Sequence, residues 1–209
     1  MERRSIFVIG DSVSVHYGPY LEKMVGEKFD YKRRNDIDKA LENLDVPQGA
    51  NAGNSNMVLK YLEYEFNKGT TYDILLVNCG LHDIRVDRET GNNEVDIWTY
   101  EKNLEKIAEI SLKMSKKVFW MTMTPVVNKI HNARESGPLR FLSDVVNYNE
   151  KAKNVMRKYN IRIIDLFTFT KSLGTDIYCD HVHYKEDVRA LQAAFITGFL
   201  FNDDNIQDN

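Results

Sequence analysis

The stretch Arg4-Ser5-Ile6-Phe7-Val8-Ile9-Gly10-Asp11-Ser12 decides the fold. Its four consecutive apolar residues, 6–9, are too uniformly apolar for a strand with one wet face and suit a strand covered on both. Runs of the same kind recur at 74–77, 118–123 and 161–164, and a shorter one at 29–32 is expected nearer an edge. Between them, residues 17–25, 57–66, 99–114, 141–159 and 186–201 carry apolar side chains at three- and four-residue spacing, the pattern of helices with one buried stripe. This alternation predicts an α/β domain, a three-layer α/β/α sandwich around a mainly parallel five-stranded sheet. There is no internal repeat, low-complexity tract or Pro/Gly/Ser-rich linker. Residues 1–201 are therefore expected to form one domain, and the polar residues 202–209 a fraying tail.

A chain of 209 residues, 43% hydrophobic, has enough apolar material for one ordinary core. Lys and Arg number 28 against 31 Asp and Glu, a net charge of -3, so no overall basic field exists to hold nucleic acid. No run approaches the roughly 20 apolar residues of a membrane-spanning helix. The apolar run after Arg3-Arg4 is too short for a signal peptide and lacks a small-residue cleavage site. A cytoplasmic protein without membrane or nucleic-acid partners is expected, and a homo-oligomer is compatible with the sequence. Cys79 and Cys179 match no metal-ligand or redox spacing and are expected free and reduced.

Two longer connections, 36–54 and 125–138, each follow an expected strand, where open parallel sheets form their ligand crevice. The residues that carry chemistry fall in comparable places. Gly10-Asp11-Ser12 ends the first strand just before a helix, so Ser12 would sit on a tight turn with an exposed hydroxyl near a helix N-terminus. Helix capping is the plainer role for the same residues. The pattern is not a Gly-x-Ser-x-Gly elbow, because Ser14 stands where the second glycine would be. Near the C-terminus, Asp180-His181-Val182-His183 places an acid and an imidazole three residues apart in a turn. There the carboxylate could orient the ring and stabilise its protonated form. A surface or capping histidine is the plainer reading, and a hydroxyl-imidazole-carboxylate relay requires Ser12 nearby.

Gly10-Asp11-Ser12 resembles block I of the SGNH (GDSL-like) hydrolases, and Gly53 in Asn51-Ala52-Gly53-Asn54-Ser55 resembles block II. Gly80-Leu81-His82-Asp83 resembles block III and Asp180-x-x-His183 block V, in the family's order across nearly the whole chain. The resemblance implies the flavodoxin-like SGNH hydrolase fold and a cofactor-free serine esterase working through an acyl-enzyme, with Ser12, His183 and Asp180 as its catalytic triad. It implies an oxyanion hole made by the backbone N–H groups of Ser12 and Gly53 and by a block III asparagine amide. Here the sequence departs from the family, because His82 occupies the asparagine position. A neutral His82 could still donate one N–H to the oxyanion; otherwise it is a polar loop residue, and Ser12 and Gly53 donate alone.

The resemblance further implies an ester substrate, often an acetyl group on a carbohydrate. The lack of a long hydrophobic lid segment favours a short acyl chain. Asp11, Asn54, Asp83, His181 and Tyr184 adjoin the motifs and are expected at the substrate. Tyr17, Trp98, Tyr178 and Tyr184 either offer aromatic faces to a sugar or simply pack. His16 and His131 have no evident partner and are expected at the surface. Zinc could be held by Asp180, His181 and His183 with His82 or Asp83. That reading leaves the glycine and serine motifs unexplained and lacks a His-Glu-x-x-His or cysteine-pair signature, so no metal is expected. The dinucleotide fingerprint is absent. An acyltransferase of the same fold and a non-catalytic ligand-binding module are the remaining alternatives, and the intact Ser, His and Asp favour an enzyme.

Overall fold

The computed structural model describes residues 3–207. Five strands, β1 (Arg4–Ile9), β2 (Phe29–Arg33), β3 (Tyr72–Val77), β4 (Ser115–Met121) and β5 (Arg162–Ile164), form one parallel sheet in the order β2-β1-β3-β4-β5. The inner strands β1 and β3 pair with Ile6 opposite Ile74 and Ile9 opposite Val77. Burial on both faces explains their unbroken apolar runs. β2 is an edge strand, as its polar residues suggested. β4 starts three residues before the expected run, at Ser115. Its first turn toward solvent carries Lys116, which is held by Asp73 at 2.7 Å, and a charged strand entry is invisible to a reading based on apolar runs.

Five helices match the expected pattern: α1 (Ser12–Val25), α3 (Ser55–Asn67), α4 (Ile97–Met114), α6 (Leu142–Lys158) and α8 (Glu186–Gln207). α2 (Ile37–Glu42), α5 (Asn128–His131) and α7 (Leu166–Ser172) are short and were not foreseen; the first two lie within the long connections. α8 passes the tail boundary expected at Asn202 and runs to Gln207, while residues 208–209 lie outside the described residues. In α1, Val13, Tyr17, Leu21 and Val25 recur every fourth position and are all buried, each contributing about 1.5–3 kcal/mol of apolar burial.

α1 packs on α8, and α8 on α7; α3 packs on α4, and α4 on α6. These two sets cover opposite faces, as right-handed crossovers require when the chain steps from β1 outward to β2 and then back to β3. The direction of winding reverses between β1 and β3. The C-terminal ends of these two strands therefore border the crevice in which a sheet of this order binds its ligands. No helix among the described residues is long and apolar enough to cross a membrane. Cys79 is buried, Cys179 is exposed, and both are free.

Candidate active site

β1 delivers Gly10, Asp11 and Ser12 to this crevice. A Cβ on Gly10 would stand 2.8 Å from the Ser14 side chain, so only glycine permits so tight a turn. Asp11 caps α1 by accepting the Val13 N–H at 3.0 Å, and burial pushes its carboxyl up. Ser12 is thus the first residue of α1, where the helix leaves the backbone N–H unused. The Ala52 N–H bonds Gly10 O and the Asn78 N–H bonds Ile9 O, both at 2.9 Å. These bonds bring the segments bearing Gly53 and His82 against the serine turn.

The 180–183 turn folds Asp180 back on itself. One carboxylate oxygen accepts the N–H groups of Val182 and His183 at 2.8 and 2.7 Å. The other lies 2.7 Å from His183 Nδ1. His183 Nε2 is 2.8 Å from Ser12 Oγ. Partial burial would raise Asp180, but the bonds from the His183 ring and from the two backbone N–H groups outweigh it and hold the carboxyl well below the usual range. An ionised Asp180 fixes the proton on Nδ1 and leaves Nε2 to accept the serine proton. His183 is only 2% exposed. His16, expected at the surface, instead packs on it with ring centroids 5.0 Å apart. Burial first, then the charges of Arg189 and His183, lower His16 to about 4, so it is a neutral wall. Ser12 and His16 are four residues apart on one helix face, a signal the sequence did contain.

On the opposite side, Gly53 has a φ of +76°, and a Cβ there would meet Pro47 at 2.8 Å and the Met57 sulfur. Its N–H is shared with Asn51 Oδ1 at 3.2 Å. His82 is buried, and its Nδ1 has no hydrogen-bond partner. Burial, followed by the charges of Arg140 and Arg85, lowers it well below the ordinary histidine range. A neutral ring that can donate one N–H is what results.

The weaker substrate-contact expectations are met differently. Asp83 is wholly buried and takes the Ser55 N–H at 3.0 Å on both oxygens. Asn54 caps α3 through Met57 N and donates to Glu94 Oε1 at 2.8 Å. Tyr184 is buried and donates to Pro125 O at 2.8 Å. With Asp11 in its capping role, these four side chains serve the fold. His181 lies further out, its Nε2 3.0 Å from Asp45 Oδ2 and 2.8 Å from Arg134 Nη1. Tyr17 is buried, Tyr178 donates to Pro125 O, and Trp98 is exposed at the start of α4. Among the described residues, no three His, Cys, Asp or Glu side chains are placed to hold a metal ion.

Spacing did not single out the arginines. Arg33, at the end of β2, donates to Ser14 O at 2.8 Å and to Ala50 O at 3.1 Å. Every N–H of the Arg134 guanidinium is engaged, by Asp45, His181, His131 and Pro138. His131, expected at the surface, is wholly buried, and its Nε2 accepts from Arg134 and Arg140 at 3.0 and 3.3 Å.

The sequence profile of the GDSL-like lipase/acylhydrolase family matches residues 6–196. The chain belongs to this family. It is therefore a carboxylic ester hydrolase by family, and its five-stranded parallel sheet is that of the GDSL-like hydrolases. Among curated proteins none matches the sequence. Among solved structures, it is similar to a lipase/acylhydrolase from Enterococcus faecalis at 16% identity, covering 94% of this chain and 95% of that one with a TM-score of 0.68. It is also similar to an acetylxylan esterase from Geobacillus stearothermophilus, at 14% identity, 92% of each chain and a TM-score of 0.65. A GDSL-like lipase from Bacteroides thetaiotaomicron is similar at 11% identity, 96% of this chain and 89% of that one, with a TM-score of 0.66. At these identities the likeness establishes the fold.

Proposed function

We propose that this GDSL-like acylhydrolase cleaves short-chain acyl esters, foremost an acetyl ester of a carbohydrate, with Ser12 as nucleophile, His183 as base and Asp180 as its orienting acid. The observation that carries this reading is the continuous line from Ser12 Oγ to His183 Nε2 at 2.8 Å and from His183 Nδ1 to Asp180 Oδ2 at 2.7 Å. Ser12 Oγ attacks the ester carbonyl carbon as its proton passes to His183 Nε2. The backbone N–H groups of Ser12 and Gly53 and the neutral His82 ring receive the oxyanion. For Gly53 this means exchanging the bond to Asn51 for one to the oxyanion. Collapse breaks the bond to the alcohol, which leaves with the His183 proton. Water then attacks the acyl-enzyme, gives a proton to His183, and the acid departs as Ser12 takes that proton back.

The carbohydrate acetate is supported by the acetylxylan esterase from Geobacillus stearothermophilus, which shares this fold, and by the lack of a long apolar lid. The test is turnover on acetylated sugars and on p-nitrophenyl esters of increasing chain length. Activity should be greatest on acetyl esters and fall with chain length, and Ser12→Ala should abolish it while leaving the thermal midpoint near that of wild type. Wild-type turnover by Ser12→Ala would remove the nucleophile assignment; preference for long chains would remove the acetyl reading.

A further inference from the structure

Arg140 is a buried cation that the chemistry above does not use. Its backbone is clamped on both sides. The side chain of Asn132 accepts the Arg140 N–H and donates to the Arg140 carbonyl, both at 2.9 Å, and the preceding Leu139 exchanges backbone bonds of 2.9 and 2.8 Å with Val86. From this fixed base Nε donates to Leu81 O at 2.6 Å, the carbonyl of the peptide that leads into His82. Nη1 donates to His131 Nε2, and His131 is itself held by Arg134. Arg134 in turn bonds Asp45, so a chain of contacts fixes the guanidinium from the side away from Leu81.

No carboxylate lies within ion-pair distance of Arg140 among the described residues, and its Nη2 makes no hydrogen bond there. Burial, then repulsion from Arg85, draws it down only to about 10, so it stays charged at neutral pH. A buried, unpaired cation is costly in the free protein, and a nearby negative charge would relieve that cost. Its charge acts on both His82 and Asp11, the residue directly before Ser12. With Ser12 as nucleophile, the reaction creates a negative charge beside the serine turn only at the tetrahedral stage, where a fixed positive charge stabilises the transition state more than the ground state.

We propose that Arg140 is the positioning residue of the oxyanion site: its guanidinium fixes the Leu81-His82 peptide so that the neutral His82 ring faces the developing oxyanion, and its unpaired charge supplies the positive field the ring lacks. This rests on the proposed roles of Ser12 and His82. It also gives a physical reason why a histidine can stand in the place of the family's asparagine.

Steady-state kinetics with p-nitrophenyl acetate test it, using Arg140→Gln, Arg140→Lys, His82→Ala and the double variant Arg140→Gln/His82→Ala, each checked for folding by circular dichroism. Arg140→Gln should lower kcat at least about tenfold with KM changed by less than about threefold. Arg140→Lys, which retains charge but not the planar fork, should recover only part of kcat. The double variant should be scarcely worse than the poorer single one, because both act on one group. Additive losses would mark a general structural role and overturn the proposal, as would raised KM at unchanged kcat, which would mean that Arg140 reads an anionic substrate instead. Wild-type kcat in folded Arg140→Lys would also overturn it, and that arm decides the matter if Arg140→Gln does not fold. Ser12→Ala in the same assay separates the two levels. If it is inert while the Arg140 variants match wild type, only this inference fails; if it turns over normally, the underlying triad assignment fails.

Discussion

At the scale of single residues, His82 is where family chemistry and local physics must be reconciled. An asparagine amide is neutral at every pH, whereas a histidine is neutral only if its surroundings make it so. Burial and two nearby arginines do that here. If the ring donates to the oxyanion, His82→Ala should lower kcat at least about tenfold with a smaller effect on KM, since the bond strengthens mainly in the transition state. His82→Asn should restore part of the loss by returning an amide donor to the same backbone position. Wild-type kcat in both variants would leave Ser12 and Gly53 as the only donors. Asp180 and His183 were legible as a pair because three-residue spacing in a turn constrains them locally, whereas Ser12, 171 residues from His183, was tied to them only through the family-like order of the motifs. Arg140 was not, because the Leu81 carbonyl it serves lies 59 residues away in the chain, and no periodicity reports so distant a contact.

At the scale of elements, the five strands and five long helices were legible because each must bury an apolar run or stripe, and burial writes itself into spacing. The short helices α2 and α5 bury one residue each, Ala40 and His131, and leave no stripe to read. Contacts between elements were equally silent. Arg33 closes the end of β2 over the first turn of α1, and Gly18 makes room for it: a Cβ there would stand 2.8 Å from Arg33 Nη1. Replacing Arg33 with Met would fill much of the space but remove the donors from Ser14 O, Ser14 Oγ and Ala50 O. We predict a loss of about 1–3 kcal/mol, lowering the thermal midpoint by about 2–4 °C per kcal/mol. Because Ser14 lies two residues after Ser12, kcat should fall as well. A midpoint within a degree of wild type, with unchanged kcat, would show that the β2–α1 closure is dispensable.

At the scale of the whole molecule, the site's buried titratable groups set opposing pH dependences. Burial, followed by the charges of Arg140 and Arg134, holds His131 at about 3 in the folded protein; His16 is held at about 4 and His82 well below the ordinary range. Unfolded, each would bind a proton near pH 6.5. As pH falls from about 6.5 toward 4, the unfolded chain therefore gains protons that the folded one refuses, and stability falls by about 1.4 kcal/mol per pH unit for each such histidine. Asp83 acts the other way. Burial, opposed by its bonds to Ser55, raises it to about 7, so the folded protein keeps a proton that the unfolded chain has lost, and stability from this group falls as pH rises from about 4 to 7. Asp11, whose carboxyl burial also pushes up, acts in the same direction as Asp83, but three histidine protons outweigh these two carboxyl protons across most of that range, so acid destabilisation should begin near pH 6.5, well above the ordinary carboxylate range. His131→Gln tests this most directly, because a glutamine carbonyl can accept from Arg134 and Arg140 but does not titrate. Thermal midpoints measured from pH 7.5 to 4.5 should fall less steeply for the variant, by about 3–6 °C per pH unit below pH 6.5. Parallel curves for the two proteins would mean that His131 gains its proton without unfolding, and that the neutral ring between the two arginines is not an obligate part of the fold.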